Sequence, residues 1–221
     1  MLNPVVVGRV VDSLATLFLV STFASVVARQ MVSCIHAYAT QSLFLTAVAL
    51  TMAVTTGAPH LFVLAGLAFV VKALFIPWLL KRTSHDSVHE KREISFYVGI
   101  PASLVISGIL VVVAYASTAN LPALAGSPVG PALNVGEAAI LIGLWTMISR
   151  REAVPQVVGL LGAENGLMLA ALATVAGLPL ITEMGILLDL VAGVLIMGIL
   201  VRQMVVSGRT TDTAKFQRLK G

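Results

Sequence analysis

Lys72, Glu164 and Asp189 are ionisable residues near the middle of long apolar segments that carry almost no other charge. A charged side chain at a bilayer centre costs about 2.5–3.5 kcal/mol on insertion scales, and such residues mark ion or proton pathways. Burial disfavours the charged form of a lysine and of a carboxylate alike. Both kinds of group can therefore exchange protons under ordinary conditions. The alternative is a static salt bridge between the lysine and one of the acids. Gln41 sits near mid-depth in another segment, with His36 closer to one end and Tyr38, Thr40 and Ser42 nearby. Counted from the segment ends, Gln41, Lys72, Glu164 and Asp189 fall at similar depth. The spacing suggests a polar line running across the protein in the membrane plane.

The elements that carry these residues follow from composition. The chain has 221 residues, 58% hydrophobic and 11% charged, with a mean hydropathy of +0.99. Soluble domains average about 25% charged residues. The expected fold class is all-α, a polytopic integral membrane protein embedded in a lipid bilayer. About 20 apolar residues span the hydrocarbon core as a helix. Seven segments qualify: 5–28, 31–55, 60–80, 94–116, 133–149, 154–176 and 182–203. The first is read as a retained span and not a cleaved leader, because Arg9 and Asp12 interrupt it and no basic segment precedes it. Pro101 and Pro155 fall in first turns, where the missing N–H costs nothing. Pro77 lies five residues after Lys72 and is expected to release the Ala73 carbonyl in a local kink.

Charge sets the orientation. The loops after spans one, three and five carry Arg29; Lys81, Arg82, Lys91 and Arg92; and Arg150 and Arg151. The tail adds Arg209, Lys215, Arg218 and Lys220, whereas the loops after spans two, four and six carry no lysine or arginine. The positive-inside rule puts the odd loops and the C-terminus in the cytoplasm and the N-terminus outside. The expected parts are a four-helix region 1–116, an outer loop 117–132, a three-helix region 133–205 and a cytoplasmic tail 206–221. No part has the composition of a soluble domain, so chemistry on an aqueous substrate would reside in partner chains. The net charge of +4 reports loops and topology. No basic stripe with interleaved aromatics suggests nucleic-acid binding.

Small residues surround the two acids. Gly162 and Gly166 form a GxxxG step around Glu164, with Gly159 a turn earlier, and Gly185 and Gly193 flank Asp189. Such residues let helices approach closely, which points the acids at helix contacts. Gly99, Ser103 and Ser107 form a similar ridge on the fourth span. Arg9 and Asp12, at i and i+3, are expected to pair locally. Glu137 and Glu183 are read as lying near the outer surface, and Arg202 as snorkelling to the headgroups. Cys34 is the single cysteine, so neither a disulfide nor a cysteine-ligated cluster can form within the chain. His36, His60, His85 and His89 are not spaced to pair as haem ligands at one depth. A faint internal echo links residues 28–50 to 149–172: each copy opens on arginine, and a polar residue follows about a dozen positions later. Lys72 and Asp189 occupy the span after each copy.

Several segments resemble the hydrogenase-4 component E family, a membrane subunit of formate hydrogenlyase-type complexes. They are YATQSLFL at 38–45, VVKALFIP at 70–77, SRREAVPQVVGLLGAENG at 149–166, EMGILLDLVAGVLIMGIL at 183–200 and the terminal LKG. Spans five to seven are also similar to the three-helix K-type subunit of respiratory complex I and to the C-type component of multisubunit cation/proton antiporters. In the K-type subunit two glutamates on successive helices belong to a hydrophilic axis through the membrane arm. Glu164 matches the first, and Asp189 matches the second in position with a shorter side chain. The resemblance implies a membrane subunit in a bacterial or archaeal cytoplasmic membrane, with no cofactor of its own. Antiporter-like membrane subunits and a peripheral hydrogenase arm would be its partners, the arm carrying the nickel–iron and iron–sulfur centres. Its role would be a proton or sodium pathway through Glu164, Asp189, Lys72, Gln41 and His36. A component of a cation/proton antiporter, or a scaffold locked by static buried ion pairs, are the other readings.

Overall fold

The computed structural model describes residues 4–85, 94–119 and 130–174, together with Gly193 and Gly198. The described chain is helical. Helix α1 covers Pro4–Val27, α2 Met31–Thr56 and α3 Pro59–Leu67; a π-helical segment, Ala68–Phe75, runs on into α4, Ile76–His85. Then come α5, Ile100–Thr118; α6, Gly130–Ser149; and α7, Ala153–Thr174. Six of the described spans are long and apolar enough to cross a membrane, with α3, the π segment and α4 forming one of them, Pro59–Arg82. The protein is a multi-pass membrane protein. The expected seventh span, 182–203, lies outside the described residues apart from Gly193 and Gly198.

Helix ends follow local chemistry. Gly57 closes α2 in the left-handed region, φ 66°, its N–H returning to the Ala53 carbonyl, a conformation glycine adopts without a Cβ penalty. Pro59 then opens α3 in its first turn. The fourth span starts at Ile100 and not at 94, because residues 94–97 are held extended. The Ile94 N–H donates to the Arg29 carbonyl at 2.7 Å, Tyr97 N–H to Ser149 at 3.0 Å, and Arg151 N–H to Ser95 at 3.2 Å. This short strip lies against both links, 28–30 between α1 and α2 and 150–152 between α6 and α7. Each copy of the sequence echo thus opens at a three-residue link between two helices.

Helices α6 and α7 approach until their backbones touch. A Cβ on Gly143 would stand 2.6 Å from the Gly159 carbonyl oxygen, and one on Gly166 would stand 2.7 Å from the Gly136 oxygen. The contact uses glycines seven residues apart on each helix, 136/143 and 159/166. This divides the expected GxxxG step: Gly166 faces α6, whereas Gly162 faces the Gln41 side chain on α2. On α5, Ser103 and Ser107 do form a buried ridge, continued by Ala114 and Thr118.

The apolar interior is two clusters. One holds Phe18, Leu45, Leu64, Ala65 and Leu169. The other holds Ile35, Tyr38, Ile76 and Leu161. Along α1, α2, the third span and α7, the chain passes from one cluster to the other across a few residues: 22, 41–42, 72 and 164–165. Large apolar side chains such as Val20, Val70, Val112 and Ile148 cover the outside, as expected of helices whose solvent is lipid.

Candidate functional site

The layer between the two apolar clusters is polar and continuous. Lys72 is fully buried, and its Nζ donates to Glu164 Oε1 at 2.5 Å and to Asn165 Oδ1 at 3.2 Å. Asn165, also fully buried, donates from Nδ2 to Ser42 Oγ at 2.9 Å and to Gln41 Oε1 at 3.4 Å. Gln41 Nε2 donates to Thr22 Oγ1 at 2.8 Å, and Thr22 returns its hydroxyl proton to the Phe18 carbonyl at 3.0 Å. Six side chains from α1, α2, the π segment and α7 are therefore joined at one level of the bundle. Buried polar groups are tolerable only when hydrogen-bonded, and here each supplies its neighbour's partner.

The backbone explains how Lys72 reaches this layer. In the π segment the Ile76 N–H bonds to the Val71 carbonyl, a five-residue step in place of four. Had the wide register continued, the next donor would be Pro77, which has no N–H. The wide turn ends there. The expected kink at Pro77 is thus an eight-residue π segment that includes Lys72 and continues directly into α4. One extra residue in the ladder rephases a helix face by about 100°. Ala68, Lys72, Ala73 and Ile76 face inward, while Phe69, Val70, Leu74 and Phe75 face outward.

Glu164 occupies an edge of α7. Its side chain is 10% exposed, on the stripe that also carries the exposed Leu160 and Leu167. Oε1 is committed to Lys72, while Oε2 is buried without a hydrogen-bond partner among the described residues. The arrangement can hold a lysine and a carboxylate in two protonation patterns, charged or neutral, with a proton passing along one short hydrogen bond.

The structure thus brings together Lys72, Glu164 and Gln41. His36 stands apart: it is exposed on α2, with Nε2 2.7 Å from Lys81 Nζ. The ammonium can only donate, so Nε2 is the acceptor. Asp189 lies outside the described residues. Arg9 and Asp12 do not form the expected ion pair. Arg9 is exposed, Asp12 Oδ1 is buried without a hydrogen-bond partner among the described residues, and the neighbouring Ser13 and Thr16 hydroxyls bond back to the two residues' carbonyls. Glu137 is half-buried and accepts from Ser117 Oγ at 2.7 Å, so it joins α6 to α5. Among the described residues no three histidine, cysteine or acidic side chains gather as metal ligands.

Two contributions escaped sequence reasoning. Thr22 anchors the far end of the network; its signal was the run Ser21, Thr22, Ser25 within an apolar span. Arg150 reads in sequence as loop charge, yet it is 1% exposed. Its guanidinium donates to the carbonyls of Ser25 at 3.0 Å, Val26 at 2.5 Å and Ala28 at 3.2 Å, and lies 4.3 Å from the Phe96 ring centroid. It caps the C-terminus of α1, where free carbonyls and the helix dipole favour a cation. Burial lowers the Arg150 pKa, against the opposing effects of Cys34 and Glu152.

No family model matches the chain, and no solved structure does. An uncharacterized protein of Mycobacterium tuberculosis is 35% identical over 130 residues, and the matched region spans 59% of each protein. Hydrogenase-4 component E of Escherichia coli K12 is 30% identical over 218 residues, covering 97% of this chain and 99% of that protein, and the Shigella flexneri component E matches equally. With 30% identity over nearly the whole length of both proteins, the chain belongs to the hydrogenase-4 component E family.

Proposed function

We propose that this chain is a membrane subunit of a formate hydrogenlyase-type, complex I-like hydrogenase in a bacterial or archaeal cytoplasmic membrane. In this reading its Lys72–Glu164 pair belongs to a proton or sodium pathway driven by redox chemistry in partner subunits. Homology to a hydrogenase-4 membrane component fits a membrane subunit of a hydrogenase complex. Its partners would be antiporter-like membrane subunits and a peripheral arm holding the nickel–iron and iron–sulfur centres. The observation that carries the pathway is the ion pair itself: a buried ammonium against a carboxylate, midway along two spans, with the second carboxylate oxygen unpartnered among the described residues. Glu164 exchanges the proton, Lys72 sets its charge state, and Gln41 and Asn165 hold Lys72 in place. Asp189, by its match in the resemblance, is the second acid. His36 with Lys81 is an outlying member at the end expected to face the cytoplasm.

A second reading has its own support. Lys72 is bonded on two sides, as a static clamp would be. Glu164→Gln keeps an acceptor for Lys72 and removes the titration. Ion translocation measured in the assembled mutant complex separates the readings: loss with assembly intact is expected, and unchanged pumping would sink the pathway. Isolation of the chain with cation/proton antiporter subunits and no hydrogenase arm would instead favour the antiporter assignment.

A further inference from the structure

Tyr38 is the buried group at this layer that the network leaves unused. It lies on α2 at i−3 and i−4 from Gln41 and Ser42, so all three occupy the face that meets α7. Its side chain is 1% exposed, and its hydroxyl has no hydrogen-bond partner within normal geometry among the described residues. The Tyr38 ring packs in the cluster that holds Leu161, about one turn before Glu164 on α7, and Ile76, one turn after Lys72. Glu164 Oε2 is likewise buried and unpartnered among the described residues. A buried donor without an acceptor, or the reverse, is costly, and more so where a charge is involved. Tyr38 and Glu164 flank the Ser42–Asn165 hydrogen bond that joins α2 to α7, so one buried donor and one buried acceptor belong to the same helix contact, and a bridging water, which needs two to four polar partners, would match them.

We propose that Tyr38 Oη and Glu164 Oε2 together hold one water molecule, with Ser42 at its side. The water accepts from the Tyr38 hydroxyl and donates to the carboxylate. Glu164 then has two distinct oxygens. Oε1 is fixed to Lys72, and Oε2 faces a mobile, exchangeable hydrogen-bond partner. Among the described residues the titratable groups argued to meet at this contact are Lys72 from the π segment, bonded to Glu164, and Tyr38 on the buried α2 face that also carries Gln41 and Ser42. This rests on the reading of Glu164 as the exchanging acid. It extends the site by one residue and gives the proton a way off the carboxyl that does not pass through Lys72.

The test is difference infrared spectroscopy of the full chain in lipid nanodiscs. The Glu164 carboxyl bands, protonated or ionised, are identified by their loss in Glu164→Gln. Tyr38→Phe, which keeps the ring and removes the hydroxyl, should shift those bands. An O–H band sensitive to oxygen-18 water should be present in the native chain and lost in both variants. Unmoved carboxyl bands in Tyr38→Phe would overturn the proposal. Shifted carboxyl bands with no water band would overturn it in favour of a direct tyrosine–carboxyl bond. Should Tyr38→Phe fail to fold, the native and Glu164→Gln chains with ring-labelled tyrosine supply the same answer. The other two tyrosines, Tyr97 and Tyr115, are 47% and 43% exposed. A shifted C–O band from the buried ring supports the contact, and an unshifted one refutes it. These readouts concern the water alone. Loss or retention of pumping in the assembled complex tests the pathway separately.

Discussion

Replacing Lys72 with methionine removes the only cation that the described residues bring to the polar layer and leaves its shape nearly intact. Lys72 is fully buried and Glu164 is 10% exposed, so bulk water solvates little of what remains. Breaking one side of a buried ion pair costs about 3–5 kcal/mol, most of it the stranded charge. The Asn165 Oδ1 acceptor also loses its donor. Adding Glu164→Gln removes the stranded charge and leaves neutral amides to be satisfied, at about 1–3 kcal/mol. The double variant should therefore be more stable than Lys72→Met alone by about 2 kcal/mol, roughly a 30-fold change in the folded population. The assay is a double-mutant cycle on denaturant unfolding of the full chain in bicelles. Ion flux in the assembled complex is measured on the same variants. Stability should recover in the double variant and flux should not. Single effects that add to within about 0.5 kcal/mol would mean the two groups do not interact, and the proposed pathway would lose its basis.

Other perturbations probe the surroundings. Gly143→Ala and Gly166→Ala each put a methyl group under 3 Å from the opposing backbone and should destabilise by about 1–3 kcal/mol. Gly162→Ala meets the end of the Gln41 side chain at 3.5 Å and should be tolerated; thermal unfolding in nanodiscs ranks the three. Arg150→Lys keeps the charge but loses the planar fork that reaches three carbonyls, so it should cost about 1.5–3 kcal/mol and lower the yield of assembled complex. His36→Gln removes an imidazole that lies outside the connected layer. As an outlying member of the route its loss should leave flux within about twofold of the native rate, and an abolished flux would make His36 an essential step.

Membrane class, six of the seven expected spans and the shared level of Lys72, Glu164 and Gln41 were legible in sequence because a bilayer imposes them one segment at a time. Length and apolarity define a span wherever it packs. Partner choice was not legible, because it depends on how helices face one another. The depth of Glu164 could be counted from the ends of its span, whereas its contact with a lysine 92 residues earlier needed a π segment that no propensity announces. The same holds for Arg150. Its type and position mark a loop, and only the meeting of α1 with the α6–α7 link turns it into a buried cap. The Gly162–Gly166 step shows a finer limit: the spacing was read correctly as small-residue packing, but two faces of α7 were folded into one motif. The true pattern, 159 and 166 against 136 and 143, requires both helices at once.

The polar layer is uneven, and its unevenness bears on mechanism. From Asn165 to Gln41 to Thr22 the groups are amides and a hydroxyl, and the line ends at the Phe18 carbonyl inside α1. No group on that arm gains or loses a proton under ordinary conditions, and no exit follows it. Its work is to fix the orientation of Asn165 and, through it, of Lys72. The titratable arm is short, Lys72 to Glu164, and the carboxylate is its one partly exposed member. A proton moving in this layer therefore has to arrive and leave at the Glu164 side, where α7 turns its Leu160–Leu167 stripe outward. The lateral line expected from depth alone divides into an anchoring half and a titratable half. On the proposed pathway, substituting Gln41 with leucine should accordingly weaken flux only as far as it loosens Lys72, whereas substituting Glu164 should abolish it.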